Sequence, residues 1–262
     1  MLYRAKQATN CIDIVMYIIT DTDRIILLSL LLCLSFLTIF PVQAKSENKT
    51  AITEDFATLS EWNPQKFENI EKETTYSTIE HNTDNYLRTR SNSSASALVH
   101  SHKFNVYEYP VINWRWKVEN IYKNGNARTK KGDDYPLRIY VIFAFNSTEA
   151  GFVQTLKYKA LKGIYGEYPP HSSLNYIWAN QNYEQKVLTN KFTSKAKMIP
   201  LQMGKKQVGK WKLEKRHIVQ DYIKAFGEKP PSGARIAIMN DSDNTGESAV
   251  SYLDYIRVQS DK

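Results

Sequence analysis

The densest run of chemically capable side chains is Asp241-Ser242-Asp243-Asn244-Thr245-Gly246-Glu247. Oxygen groups on alternate residues, with a glycine that permits a sharp turn, suit a hard cation. Asp241 and Asp243 are therefore candidate ligands for a structural Ca²⁺, the one cofactor these residues suggest. The run does not fit the helix-flanked twelve-residue calcium loop. A strand pattern precedes it, and Tyr252 stands where a bidentate glutamate would be needed. The competing reading is a turn whose Asp and Asn side chains bond their own backbone.

A second group mixes aromatic and polar side chains. Arg138 and Tyr140 share one face of a strand pattern, and Tyr176, Trp178 and Asn180 share one face of another. Aromatic rings stack on the CH-rich faces of sugars, while guanidinium and amide groups bond the hydroxyls. If the two faces adjoin, these five residues form a ligand platform. The competing reading puts Tyr176 and Trp178 in the core, where large aromatics usually go.

Catalytic constellations are poorer. Among the histidines only His100-x-His102 has a metal-like spacing, with no evident third ligand. Arg138, His171 and Tyr168 are the residues a polysaccharide lyase would use here. Glu167 has no carboxyl partner that the sequence can assign for glycoside hydrolysis. Neither a Gly-rich phosphate loop nor a nucleophile elbow occurs.

Short segments rich in β-branched and aromatic residues must position these groups. They fall near 55–61, 75–81, 86–90, 95–101, 111–121, 137–146, 174–180, 196–203, 210–218, 234–240 and 248–258, with turn-forming clusters between them. That pattern predicts a sandwich or barrel. Ile112, Trp114, Trp116 and Val118 alternate strictly with polar residues, which predicts a half-buried strand with both tryptophans in the core. Leu137 to Phe145 is apolar on both faces except at Arg138 and Tyr140, so it reads as a central strand. Val219, Tyr222, Ile223 and Phe226 follow helical spacing, and Gly227 and Pro230-Pro231 end the helix. Residues 154–165 carry a weaker second helical pattern.

Ile25 to Phe40 is a run without charge, preceded by Arg24 and followed by Pro41-Val42-Gln43-Ala44. A positive flank, a short apolar core and small residues at Val42 and Ala44 describe a secretory signal peptide, and the run falls short of the roughly 20 residues a spanning helix needs. Residues 1–44 are thus expected to be a leader, with Met16 as an alternative start. Residues 45–54 read as a flexible segment and 55–262 as a single domain. No stable membrane anchor is expected after cleavage, and the periplasm or the exterior is the expected location. Both cysteines, Cys11 and Cys33, lie in the leader, so disulfides do not stabilise the domain. The leader carries three basic and three acidic residues, which leaves the domain at the full-chain charge of +8. Such a charge favours anionic surfaces or polysaccharides. No nucleic-acid partner is expected.

Several runs resemble a bacterial domain-of-unknown-function family, number 3047. They are Asp133-Asp134-Tyr135-Pro136-Leu137-Arg138, Leu174 to Ala179, Gly209-Lys210-Trp211 with Glu214 and Arg216, Asp221-Tyr222, Phe226-Gly227, and Ile236 to Thr245. The resemblance covers roughly residues 55 to 258. Asn240 departs from it, standing where a small hydroxyl residue is expected. It implies export and a β fold but no reaction. The two ends are also loosely similar to carbohydrate-binding jelly rolls, through Asp55-Phe56 leading to Trp62 and through Ser251 to Val258. That likeness implies a structural calcium held by Asp55 and Asp254.

The resulting expectation is a jelly-roll type antiparallel β-sandwich with one or two short helices. Its expected role is an exported, non-catalytic binding domain for a polysaccharide or glycan. A polysaccharide-cleaving enzyme on the same sandwich and a cell-envelope protein-interaction module are the alternatives.

Overall fold

The computed structural model describes residues 49–81, 84–145 and 170–261. The expected leader, the second helix at 154–165, and Glu167 and Tyr168 lie outside them. Along the described residues the strands are β1 (Thr50–Glu54), β2 (Trp62–Gln65), β3 (Thr75–His81), β4 (Asp84–Asn92), β5 (Ala97–His100), β6 (Phe104–Asn105), β7 (Val111–Val118), β8 (Arg138–Phe143), β9 (Ser172–Ala179), β10 (Leu188–Thr189), β11 (Ala196–Met203), β12 (Lys212–His217), β13 (Gly233–Met239) and β14 (Ser248–Gln259). They build a jelly-roll type sandwich. The smaller sheet runs β12-β7-β14-β4-β3, with β1 also on β14. The larger runs β10-β11-β9-β8-β13-β5-β2, with β6 also on β13. Pairing is antiparallel throughout except between β9 and β11.

The alternation in β7 sends Ile112, Trp114, Trp116 and Val118 into the core, fully buried. Their partners come from β9 of the facing sheet. Trp114 lies 5.2 Å from the Tyr176 ring and Trp116 lies 5.7 Å from Trp178, centroid to centroid. Ile139, Val141 and Phe143 of β8 complete this layer, and β8 is central in the larger sheet, as its two-sided apolar pattern predicts.

Helix α1 (Ile218–Phe226) ends at Gly227, whose φ of 79° permits the left-handed cap that closes it. Tyr222 on α1 packs on Phe143 at 4.6 Å. Asp221 on α1 accepts the Tyr176 hydroxyl at 3.0 Å and the Arg216 Nε at 2.8 Å, which fixes the helix against both sheets.

The N-terminal reading needs correction. Residues 50–54, expected to be flexible, form β1 against the end of β14, with Ile52 and Glu54 buried. The expected strand at 55–61 is instead a turn. The Asp55 carboxylate accepts Ala57 N–H at 3.1 Å, and Phe56 is held at φ 57° by its N–H bond to Glu54 at 2.6 Å.

Candidate functional site

In an antiparallel pair, opposed residues point to the same side of the sheet. Arg138 opposes Ile177 and Tyr140 opposes Asn175, so Arg138 and Tyr140 lie on the outer face of the larger sheet. Tyr176 and Trp178 point the other way and are wholly buried between the sheets. The expected five-residue platform is therefore divided by the sheet itself. Hydrophobic burial decided the parity of β9, because the two largest rings gain most by leaving water.

Asn180 and Arg138 instead belong to a polar knot where the loops after β7 and β13 meet. The Asn180 amide accepts the Tyr122 N–H at 2.8 Å and donates to the Asp134 carbonyl at 2.6 Å. Arg138 pairs with Asp241, both almost fully buried. Asp241 also accepts the Tyr135 N–H at 3.3 Å. Burial opposes the Arg138 charge, but Asp241, Tyr140, Asp133 and Tyr135 outweigh it and hold the guanidinium protonated. Asn240, the departure from the family pattern, closes the knot: it accepts the Tyr122 hydroxyl at 2.9 Å and donates to Thr89 at 2.9 Å.

The two loop aspartates do meet, and Asp134 joins them. One carboxylate oxygen from each of Asp134, Asp241 and Asp243 lies within 4.8 Å of the others. These oxygens already have partners. Asp134 accepts the Thr245 N–H at 2.6 Å, the Asn244 N–H at 3.3 Å and the Asn244 amide at 2.9 Å. Asp241 faces Arg138. A calcium ion here would compete with the Arg138 guanidinium for Asp241, while the hydrogen bonds present lock the loop. Burial and then Asp134 push the Asp243 carboxyl above the usual carboxylate range.

Asp55 and Asp254 form no metal cluster among the described residues. Asp254 sits at a bulge of β14 and pairs with Arg115 at 3.0 Å, while exposed Asp55 serves its own turn. The buried acid at that end is Glu54, which accepts Trp62 Nε1 at 2.7 Å.

Of the lyase set, Arg138 and His171 lie apart. His171 precedes β9 at Ser172, which opposes Phe143, whereas Arg138 opposes Ile177 at the other end. Six residues of strand separate His171 from the Arg138 level, about 20 Å. His100 accepts the His102 N–H at 3.1 Å and packs edge-on against Trp62, a core arrangement.

The outer face of the smaller sheet holds a group that the sequence reading missed. Tyr86 on β4, Tyr252 on β14 and Trp211 beside β12 are half-buried and mutually in contact, with centroids 5.6 Å (Tyr86–Tyr252), 6.0 Å (Tyr86–Trp211) and 6.4 Å (Trp211–Tyr252) apart. Lys117 lies 4.5 Å from the Tyr252 centroid and Arg115 4.9 Å from that of Trp211. Both cations come from the outward residues of β7, since its inward residues are the core tryptophans. Arg88 opposes Tyr252 from β4. The result is a row of three rings flanked by three basic side chains across a pleated, solvent-facing surface.

The architecture is that of a two-sheet β-sandwich. The family described as "Protein of unknown function (DUF3047)" matches over residues 60–257, and the chain belongs to it. No curated protein matches the chain. Among solved structures, it is similar to a lectin from Bauhinia forficata in complex with GalNAc, at 9% identity and TM-score 0.40, covering 82% of this chain and 99% of that one. It is also similar to a family 30 carbohydrate-binding module of a cellulosomal cellulase of Clostridium thermocellum, at 10% identity and TM-score 0.36, covering 82% and 95%. A third likeness is to the enzymatically active domain of bacteriophage CBA120 tailspike protein 4, at 8% identity and TM-score 0.36. It covers 78% of this chain and spans only 20% of that one.

Proposed function

We propose that the protein is an exported glycan-binding domain whose polysaccharide ligand lies along the Tyr86–Trp211–Tyr252 face of the smaller sheet. The observation that carries this reading is the contact of three half-buried aromatic rings on the outer face of the smaller sheet, which also presents Arg88, Arg115 and Lys117. Rings of this kind stack on the CH-rich faces of sugars. Lysine and arginine pack their stems on the rings and offer N–H donors to hydroxyl or acidic groups. The three rings keep part of their surface in solvent, whereas the four other tryptophans are buried. Export is supported by the charge-free run Ile25 to Phe40 ahead of Ala44. No helix among the described residues is long and apolar enough to cross a membrane.

A glycan array probed with residues 45–262 tests the reading. Wild type should retain a restricted set of polysaccharides. Trp211→Ala should weaken each by roughly thirty-fold, the loss expected when a central aromatic contact worth about 2 kcal/mol is truncated. Retention of the same glycans at unchanged affinity by Trp211→Ala, with Tyr86→Ala and Tyr252→Ala behaving alike, would overturn it.

A further inference from the structure

We infer that the polysaccharide bound on the smaller sheet is anionic, and that its acid groups are taken by Arg88, Arg90 and Lys72, where the aromatic row gives way to a pocket. The inference rests on the glycan reading of that face and names the charge of the ligand.

The strand period extends the aromatic row along β4. Tyr86, Arg88, Arg90 and Asn92 alternate with the buried Leu87, Thr89 and Ser91, so all four point away from the core. Tyr86 touches the Tyr252 ring, and Arg88 opposes Tyr252 directly. Arg90 continues the line, opposed by Val250 on β14 and Thr75 on β3. At the rise of a strand, Arg90 stands about 7 Å beyond Arg88 and about 14 Å from Tyr86. There the surface opens into a pocket of about 500 Å³, lined by Lys72, Glu73, Thr75, Arg90, Asn92 and Ser94. Ligand sites commonly measure about 300–1,000 Å³. Hydrogen bonds fix the walls: the Lys72 carbonyl accepts the Ala95 N–H at 3.0 Å, and the buried Ser94 hydroxyl accepts the Asn92 N–H at 2.9 Å. Lys72, Arg90 and Asn92 are exposed, so the pocket is reached from solvent.

The charges on this face do not cancel. Lys117 pairs with Glu119 at 2.8 Å and Arg115 with Asp254 at 3.0 Å. Glu73, the acid among the pocket's lining residues, is taken by Lys66 at 2.6 Å. None of the ion pairs among the described residues involves Arg88, Arg90 or Lys72. These three cations therefore form a positive strip that leads from the rings into the pocket. Such a strip raises the local concentration of anions, and a guanidinium takes carboxylate or sulfate oxygens in paired hydrogen bonds. A neutral glucan would cover the rings and leave the strip unused. A polyanion without sugar rings would do the opposite. A polysaccharide bearing carboxylate or sulfate groups meets both.

The test is a calorimetric titration of the exported protein, using dextran sulfate, polygalacturonate, unmodified dextran and poly-L-glutamate as separate probes. At least one of the two anionic polysaccharides should bind saturably. Binding of dextran sulfate alone marks a sulfate ligand, and of polygalacturonate alone a carboxylate. Dextran and polyglutamate should each bind far more weakly. Raising the salt from about 0.1 to about 1 M should weaken the anionic polysaccharide, since the Debye length shrinks from about 10 to about 3 Å. Arg90→Gln, at an exposed position, should keep the wild-type melting temperature and lose roughly tenfold in affinity, the worth of one charge-assisted contact. The inference is overturned if neither anionic polysaccharide binds, if dextran or polyglutamate binds as tightly as they do, or if Arg90→Gln binds unchanged. Trp211→Ala separates this inference from the reading beneath it. Loss confined to Arg90→Gln would overturn the aromatic row and leave the anion strip standing, and loss confined to Trp211→Ala would do the reverse.

Discussion

Replacing Arg138 with methionine removes the cation that faces Asp241 while keeping the aliphatic stem that packs near Tyr135 and Tyr140, whose ring centroids lie 4.9 and 5.5 Å from the guanidinium carbon. The side chains of Arg138 and Asp241 are 5% and 2% exposed, so water cannot take over the lost interaction. Removing one member of a buried pair costs about 3–5 kcal/mol, because the remaining charge is left uncompensated. Here the uncompensated charge would be Asp241, with Asp134 and Asp243 close by. Substituting both members, Arg138→Met with Asp241→Asn, removes the stranded charge. The double variant should recover roughly 1–3 kcal/mol relative to the sum of the single losses. The sign of the pH effect is also fixed. Burial already holds the Asp241 carboxyl well above the usual carboxylate range, and Arg138 pulls it back down. In Arg138→Met it rises further, so the destabilisation should be largest at neutral pH and shrink as pH falls and the carboxyl protonates. Urea unfolding followed by tryptophan fluorescence at neutral and acidic pH measures all of this. A loss below about 1 kcal/mol for Arg138→Met, or strict additivity in the double variant, would refute the pairing as the organiser of the knot.

Trp116→Ala should destabilise by roughly 3–5 kcal/mol in the same assay, since its ring is fully buried against Trp114 and Trp178. Burial pushes both His100 and His171 below the usual histidine range. Folding therefore favours their neutral forms, and their contribution is intact above the unfolded-state value of about 6.5 and is lost as pH falls through the folded-state values. Urea midpoints measured from pH 8 downward should decline on that side. Calcium and chelator should each leave the melting temperature unchanged, and Asp243→Asn should raise it by relieving repulsion from Asp134. A calcium-dependent rise in wild type that is absent from Asp243→Asn would establish the ion site instead.

Much of the architecture was legible because the physics was local. The strict alternation in β7 fixed which face of that strand is buried, and the spacing of Val219, Tyr222, Ile223 and Phe226 with Gly227 defined α1. β1 escaped notice because Thr50–Glu54 buries only Ile52 and Glu54, too little apolar patterning to read, and its pairing partner lies at the far end of the chain. β9 misled for the opposite reason. Leu174 to Ala179 is rich in large side chains on both faces, so parity had to be decided by the sheet opposite, where Trp114 and Trp116 selected Tyr176 and Trp178. The aromatic face of the smaller sheet was invisible for a related reason. Tyr86, Trp211 and Tyr252 come from three distant parts of the chain, and only cross-strand register makes them neighbours. The aspartate loop was found, but not the partner that fixes it, since Asp134 reaches it from before β8.

The most direct test of the proposed glycan face uses the protein's own tryptophans. Trp62, Trp114, Trp116 and Trp178 are at most 4% exposed, so of the five in the chain Trp211 is the half-buried indole able to report on a surface ligand. Titrating an array-selected polysaccharide while recording tryptophan emission should give a saturable change in intensity and wavelength in wild type, absent in Trp211→Phe. Binding that saturates by calorimetry while Trp211 emission stays constant would contradict the account.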